Sequence, residues 1–289
     1  MSTILVTGAS TGIGREAALH MARKGNTVYA AVRNPDGVDE LHAAIAAESL
    51  PVTVLKMDIT QPESIEAAVA QIMQETGRID ALVNNAGVGA GQAVEMTPIE
   101  DVRWIFETNY FGTVNALRAV TPIMRKQGQG RIINVGSLAA RNTVGCHAHY
   151  SASKWAMVGL SESLAMEMAE FNVRVALVEP GCVITPMLGK VAPLDETIEQ
   201  PYLNSLGRLG TWFEYALQNP SMPTDVAAAI AEAIEADAPK FRYTVGKDAN
   251  EMVAARAKVS DDEWVRINCL QGEAFYDAMA ELVGVDYYR

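Results

Sequence analysis

The first 25 residues of the chain follow a pattern of apolar strand, glycine-rich turn and helix. Residues 3–7 (TILVT) predict a buried strand, and the helix that opens after the glycines runs to Gly25. In such a turn the glycines let the backbone approach a pyrophosphate, which the helix N–H groups and the positive end of the helix dipole then face. The spacing is GxxxGxG rather than GxGxxG, but its position directly after a strand favours a dinucleotide-binding start. The candidate cofactor residues in this turn are Gly8, Ser10, Thr11, Gly12, Ile13 and Gly14.

Strands and helices continue to alternate along the rest of the chain. Further strands are predicted at 27–32, 52–57, 80–83, 131–135, 173–178 and 241–245, and helices at 62–76, 99–125, 150–171 and 223–236. This alternation predicts an α/β fold, with a doubly wound, Rossmann-type parallel sheet of about seven strands and helices on both faces. No linker or low-complexity segment interrupts it, so we treat residues 1–289 as one domain. The ligand should lie at the carboxyl ends of the strands.

The end of the second predicted strand bears on cofactor choice. An acidic residue at this point would bind the ribose 2′-hydroxyl of NAD, but the chain has Arg33 and Asn34. A guanidinium suits a 2′-phosphate, so NADP(H) is favoured. The alternative is NAD(H), with Arg33 packed on the adenine.

Tyr150 and Lys154 stand at positions i and i+4 of a predicted helix. That spacing stacks both side chains on one face, and a nearby ammonium favours the phenolate. We therefore expect Lys154 to lower the pKa of Tyr150 and to prepare it for acid–base catalysis. Ser137 follows the predicted strand at 131–135, where its hydroxyl can meet a substrate oxygen.

These motifs together resemble the short-chain dehydrogenase/reductase family, of the compact single-domain kind. They occur in the family's order and spacing over about residues 1–247, as Thr7-Gly8-x3-Gly12-x-Gly14, Asn84-Asn85-Ala86-Gly87, Asn109, Ser137, Tyr150-x3-Lys154 and Pro180-Gly181 through Thr185.

The resemblance implies roles for residues that the spacing alone would not select. Asp58 and the adjoining Ile59 would lie near the adenine, and Asn85, Ala86 and Gly87 would line the ribose and the central strand. Thr185 would hold the nicotinamide carboxamide, next to Pro180, Gly181 and Val183. Asn109 would hold a water on a proton relay behind Lys154.

The activity that follows is that of an NADP(H)-dependent carbonyl reductase or alcohol dehydrogenase. Ser137 would bind the carbonyl oxygen, Tyr150 would give it a proton, and Lys154 would bind the nicotinamide ribose. One alternative is an NAD-linked secondary alcohol dehydrogenase. A more distant one is a non-catalytic, nucleotide-sensing relative, although such relatives typically lack the Tyr or the Lys.

Residues 187–222 form a long connection rich in apolar and aromatic side chains. Long connections in compact domains are often lids, so we expect this segment to close over a bulky, mostly apolar substrate. The alternative is a pair of helices that simply covers the sheet. The candidate substrate contacts are Gln92, Asn142, His147, Met187 and Trp212. His147 and His149 are not taken as catalytic, since Tyr150 and Lys154 fill that role. Residues 248–289 read as a polar C-terminal extension of unassigned role.

Composition excludes several partner classes. The formal net charge of −12 argues against nucleic acid or an anionic membrane as a partner. Three widely spaced cysteines without metal-ligand clustering indicate a reducing compartment and no metal site. We find no secretory signal pattern and no apolar run of about 18 residues or more, so we expect a cytoplasmic protein. The family resemblance implies a homodimer or homotetramer built through the helices around 99–125 and 150–171.

Overall fold

A computed structural model describes residues 1–89, 91–188 and 201–284. The described residues form a parallel seven-stranded sheet in the order β3-β2-β1-β4-β5-β6-β7. The strands are β1 (Thr3–Thr7), β2 (Thr27–Val32), β3 (Val52–Lys56), β4 (Ala81–Asn84), β5 (Gly130–Val135), β6 (Val173–Pro180) and β7 (Arg242–Val245). The predicted α/β class with a Rossmann-type sheet is confirmed, and the strand bounds agree with the sequence predictions to within one or two residues.

Helices lie on both faces of this sheet. They are α1 (Gly12–Arg23), α2 (Asp39–Glu48), α3 (Pro62–Thr76), α4 (Ile99–Phe106), α5 (Gly112–Gln127), α6 (Ala148–Ala169), α7 (Leu203–Ala216), α8 (Pro223–Glu235), α9 (Lys247–Arg256), α10 (Asp261–Cys269) and α11 (Glu273–Val283). None of these described helices is long and apolar enough to cross a membrane.

The two-residue period of the strands divides their side chains between two cores. In β1, Ile4 and Val6 pack with α1 and α8 on one face, whereas Leu5 packs with α3 and α5 on the other. All three are fully buried. Because both faces are covered, the strand reads as a continuous apolar run rather than as an alternating one.

A buried polar network fixes the centre of the sheet against α6. Asn84 and Asn134 are register partners on β4 and β5, and Asn84 Nδ2 donates to Asn134 Oδ1 at 2.9 Å. Asn134 Nδ2 in turn donates to Ser161 Oγ on α6 at 2.8 Å. Since a slip of one residue would leave these amides without partners in the core, the network holds β4, β5 and α6 in one register.

The long helix predicted at 99–125 is interrupted. It is resolved into α4, a π-helical turn at Glu107–Phe111 and α5. Asn109 lies in this turn, fully buried. A π-helical turn contains one more residue than an α-helical turn, and such turns are frequent at functional sites.

The C-terminal segment differs from the polar extension that the sequence indicated. It forms α9, α10 and α11, which enclose an apolar cluster of their own that also includes Leu138 from the turn after β5. The buried members that these helices contribute are Ala249, Met252, Trp264, Ile267, Phe275 and Met279. Charged residues between these side chains on the solvent side of the helices lower the average hydropathy and hid the pattern.

The glycine turn leaves no room for a side chain at Gly14. A Cβ at Gly14 would lie 2.3 Å from the Gly8 carbonyl oxygen and 2.4 Å from Asn85 Nδ2. Gly14→Ala should therefore lower the free energy of unfolding by about 1–3 kcal/mol through overpacking, measured by chemical denaturation. The matched control is Gly210→Ala in α7, where a Cβ would meet nothing within 4 Å.

An alanine at Gly210 should stabilise the helix by about 0.5–1 kcal/mol, as it normally does in a helix interior. Equal stability of the Gly14 variant and the wild type would contradict the close contact at the turn.

Candidate active site

A cavity of about 180 Å³ opens at the carboxyl ends of the central strands. The turns after β4, β5 and β6 contribute to its wall, together with Ile13 from the first turn of α1, as the parallel topology requires. Helix α6 contributes Tyr150 and Lys154, and α7 contributes Leu209, Trp212 and Phe213.

Ser137, Tyr150 and Lys154 meet at the floor of this cavity. Ser137 follows β5, and its Oγ accepts a hydrogen bond from Ala139 N at 3.1 Å, which fixes the hydroxyl at the strand end. The side chain of Ser137 lies close enough to Tyr150 to lower its pKa as a hydrogen-bond partner. Lys154 Nζ donates to Val135 O at 3.0 Å and lies 5.8 Å from the centroid of the Tyr150 ring. The structure thus brings together the groups that the sequence spacing selected.

The expected direction of the Tyr150 pKa was wrong for this structure. Burial raises the pKa of Tyr150, and the hydrogen bond with Ser137 opposes that rise. Burial also lowers the pKa of Lys154 to about 8. Removal from water is the largest influence on the phenol, and it outweighs the effect of the neighbouring cation. Tyr150 therefore stays protonated at neutral pH.

Asn109 is held in place by its own hydrogen bonds. Its Oδ1 accepts from Val88 N at 2.8 Å, and its Nδ2 donates to Val88 O at 2.9 Å and to Ser153 Oγ at 3.0 Å. The amide therefore ties the π-helical turn to the segment after β4 and to α6. A role in holding a relay water stays a prediction.

The turn after β1 fits the diphosphate of a dinucleotide. Thr11 at the N-cap of α1 makes no side-chain cap hydrogen bond, and the first turn of α1 carries no acidic residue. Asn85 Nδ2 donates to Thr7 O at 3.0 Å and to Gly8 O at 3.2 Å, which fixes the turn against β4. The N-terminus of α1 is thus left for an anion, which its N–H groups and dipole favour.

The predicted cofactor residues divide into two groups. One group lines the cavity: Ile13, Asn85, Gly87, Tyr150, Lys154, Pro180, Gly181, Val183 and Thr185. The other group lies outside its described lining: Gly8, Ser10, Thr11, Gly12, Gly14, Arg33, Asn34, Asp58, Ile59 and Ala86.

Four members of the outer group follow β2 or β3 at the same edge of the sheet, namely Arg33, Asn34, Asp58 and Ile59. Arg33 is exposed and forms no salt bridge with any residue that the structure describes. Asp58 Oδ1 accepts from Thr60 N at 2.9 Å and from Thr60 Oγ1 at 2.8 Å. Ile59 is buried and packs with the core that contains α3 and α5. Arg33 is therefore open to a ligand, whereas the Ile59 side chain is committed to packing.

The predicted substrate contacts fall in different places. His147, Met187 and Trp212 line the cavity, and the His147 ring stacks on Tyr150 with centroids 4.8 Å apart. Burial lowers the pKa of His147 to about 4, so the imidazole is neutral at pH 7. Asn142 lies in the cavity wall, and Gln92 is exposed outside the described lining.

The expected lid is described only in part. Residues 189–200 of the segment 187–222 lie outside the described residues, whereas Met187, Leu188 and α7 line the cavity. Arg208 of α7 donates to Asn268 O at 2.9 Å and also to Leu270 O, and its guanidinium stands 4.0 Å over the Phe275 ring. Helix α7 therefore joins the cavity to the C-terminal helices.

Sequence reasoning missed a buried carboxylate beside the site. Glu179 at the end of β6 is fully buried and ion-paired with Arg242 Nη1 at 2.8 Å and Arg141 Nη1 at 3.5 Å. It ties the turn that carries Ser137 to the edge strand β7. The signal was a lone acidic residue at the end of an apolar run. The apolar wall residues Val88, Leu138, Val144 and Met252, which also line the cavity, carried no such signal.

Comparisons with known proteins agree with this geometry. The family model for short chain dehydrogenases matches residues 2–195. A 3-ketodihydrosphingosine reductase of Bacteroides thetaiotaomicron is 35% identical over 274 residues, covering 93% of this chain and 94% of that protein. Retinol dehydrogenase 8 of Bos taurus is 34% identical over 268 residues, covering 88% of this chain and 85% of that protein.

Solved structures give the same result. A short-chain dehydrogenase from Streptomyces avermitilis is similar with a TM-score of 0.79 at 33% identity, covering 92% of this chain and 96% of that one. The actinorhodin polyketide ketoreductase, solved with NADPH, has a TM-score of 0.75 at 28% identity, covering 86% and 97%. Fold and site define an oxidoreductase of the nicotinamide-nucleotide class. The chain belongs to the short-chain dehydrogenase/reductase family.

Proposed function

We propose that the protein is an NADP(H)-dependent carbonyl reductase or alcohol dehydrogenase that acts on a mostly apolar ketone, aldehyde or secondary alcohol. The observation that carries the proposal is that Ser137, Tyr150 and Lys154 meet in the lining of one apolar cavity, with Lys154 Nζ 5.8 Å from the centroid of the Tyr150 ring.

In this mechanism the protein positions and protonates the carbonyl. When bound, the nicotinamide would exchange a hydride with the carbonyl carbon. Ser137 Oγ would hold the carbonyl oxygen, and Tyr150 Oη would donate the proton that forms the alcohol. Because burial raises the pKa of Tyr150, the phenol is protonated at neutral pH and ready for reduction. Val135 O takes only one of the Lys154 donors, so others remain for the nicotinamide ribose.

The NADP(H) preference is supported by the end of β2. Arg33 and Asn34 are exposed there, and Arg33 has no described carboxylate partner to compete with a 2′-phosphate. The related polyketide ketoreductase was solved with NADPH. NAD(H) is the alternative, with Arg33 against the adenine.

The substrate proposal rests on the cavity wall. Beyond Ser137 and Tyr150 the described wall is mainly aliphatic and aromatic, and pockets of this kind bind apolar ligands with a few fixed polar contacts. Two relatives are named for 3-ketodihydrosphingosine and retinol, molecules with long hydrocarbon parts. Met187 and Trp212 would contact the apolar part, His147 would contact a polar group near the carbonyl, and the segment 187–222 would close over the substrate.

A homodimer or homotetramer is proposed as the assembly. Large apolar side chains are exposed along the α4–α6 region, where the family resemblance places subunit contacts. They include Ile99 (60% exposed), Trp104 (48%), Phe111 (49%), Trp155 (51%) and Met166 (69%). Apolar exposure concentrated in this way is typical of an interaction surface.

Tyr150→Phe tests the mechanism. The variant keeps the ring but loses the acid, so kcat should fall by about 10²- to 10⁴-fold while the Kd for NADPH stays nearly unchanged. Turnover is measured from nicotinamide absorbance with a panel of apolar ketones, and the Kd by fluorescence titration. The control is Tyr29→Phe, which removes a hydroxyl bonded to Glu75 on α3, outside the site, at 2.7 Å. If the Tyr150 variant were as active as the control, the mechanism would be contradicted.

Arg33→Asp tests cofactor choice. A charge-assisted contact to phosphate is worth about 1.5–3 kcal/mol, so the Kd for NADPH should rise about tenfold to a hundredfold. The Kd for NADH should fall or stay the same. The control is Arg174→Asp, the same charge change at an exposed position near the opposite end of β6. Equal loss of NADPH affinity in both variants would mean that Arg33 acts only through net charge.

A further inference from the structure

The first turn of α9 carries a carboxylate that contacts the turn after β6 from the C-terminal segment. Asp248 is only 2% exposed, and its Oδ2 accepts a hydrogen bond from Cys182 N at 2.7 Å. Gly181 leaves no room for a side chain, since a Cβ there would lie 2.3 Å from both carboxylate oxygens. The absence of a side chain at Gly181 thus permits the contact.

The segment that Asp248 holds is the turn after β6. Pro180, Gly181, Val183 and Thr185 in this turn line the cavity. Its other ties are backbone hydrogen bonds, with Gly181 N donating to Val245 O at 2.9 Å, Ile184 N to Ser221 O at 3.0 Å and Ser221 N to Cys182 O at 3.1 Å. Asp248 adds a side-chain tie, which substitution can remove without altering the backbone.

One turn further along α9, a second tie reaches the other side of the site. Met252 O accepts a hydrogen bond from Asn142 Nδ2 at 3.0 Å, and Asn142 is 5% exposed in the segment that follows Ser137. Residues 248 and 252 are four positions apart, so they lie on the same face of α9. One helix face therefore contacts both the turn after β5 and the turn after β6.

We propose that Asp248 is a positioning residue for the cofactor site, by which α9 holds the turn at 180–185 in the conformation that receives the nicotinamide end of the cofactor. This rests on the proposed function. It assigns a role to the C-terminal segment, which lies beyond the family match to residues 2–195. The residue acts through Cys182 and does not itself line the described cavity.

The competing interpretation is that Asp248 merely stabilises the N-terminus of its own helix, as acidic residues in a first turn do. Burial makes this explanation insufficient. Burial raises the pKa of Asp248, so a charge at this place costs stability that an exposed cap would not cost. Helix α8 shows the ordinary arrangement, with Asp225 exposed and its Oδ2 accepting from Met222 N at 2.7 Å.

Asp225 therefore supplies a matched control. Asp248→Ala and Asp225→Ala each remove one carboxylate that accepts one backbone N–H at 2.7 Å. Hydrogen exchange of a peptide covering 180–185 is measured in the cofactor-free protein, together with melting temperature and the Kd for NADPH. We expect faster exchange and a Kd raised about tenfold in Asp248→Ala only, with a lowered melting temperature in both.

Two further variants distinguish the positioning of the turn at 180–185 from the capping of α9. Asp248→Asn keeps an acceptor of the same shape and should restore both exchange protection and Kd. Asp248→Ser keeps a polar group in the first turn but is too short to reach Cys182, so it should behave like Asp248→Ala. It also serves as the test if the alanine variant fails to fold.

The proposal is overturned if Asp248→Ala or Asp248→Ser lowers melting temperature without faster exchange at 180–185. It is also overturned if exchange rises but the Kd for NADPH does not. Failure of the proposed function would look different, because the wild-type protein would then bind neither NADPH nor NADH. Exchange at 180–185 in the cofactor-free protein would still show whether Asp248 holds the turn.

Discussion

The buried hydrogen bonds among Asn84, Asn134 and Ser161 are the constraint on which the site depends. They lie where β4, β5 and α6 meet, and the two asparagines are paired in register. Ser137 lies three residues after Asn134 in the sequence, and Tyr150 and Lys154 precede Ser161 on α6. Fixing the strands against α6 therefore fixes the hydroxyls of Ser137 and Tyr150 against each other. Breaking a hydrogen bond in the core leaves a buried polar group without a partner, which costs more free energy than the loss of an apolar contact. The network therefore favours a single arrangement of the strands and α6.

The same burial that assembles the site sets its chemistry. Removal from water holds the pKa of Tyr150 above its usual value and lowers that of Lys154 to about 8. Both shifts oppose the charged forms. Only the shift of Lys154 costs folding stability at neutral pH, because lysine is charged there in the unfolded chain, whereas tyrosine is neutral in both states. That cost is offset by packing in the two cores of the sheet and in the cluster formed by the C-terminal helices. As a result, a protonated phenol faces an apolar cavity, and a bound ligand would exclude water from that cavity.

Local spacing was enough to predict the strand ends, the glycine turn, and the pairing of Tyr150 with Lys154. These features depend on neighbours within one element or on the rule that parallel strands end at one edge. Features set by distant contacts could not be predicted. The direction of the Tyr150 pKa depends on how deeply α6 is covered, and the tie from Asp248 to Cys182 spans 66 residues. The C-terminal helices were missed because Trp264, Ile267 and Phe275 are separated by charged residues.

The most direct measurement of the central claim is the transfer of deuterium from NADPH labelled at both C4 positions to a long-chain ketone. The account predicts that the wild-type protein forms the secondary alcohol carrying a single deuterium at the former carbonyl carbon. It also predicts faster reaction with the long-chain ketone than with a small one, because the cavity wall is mainly apolar. Absence of alcohol across a series of ketones and aldehydes, or alcohol without deuterium at that carbon, would contradict the account.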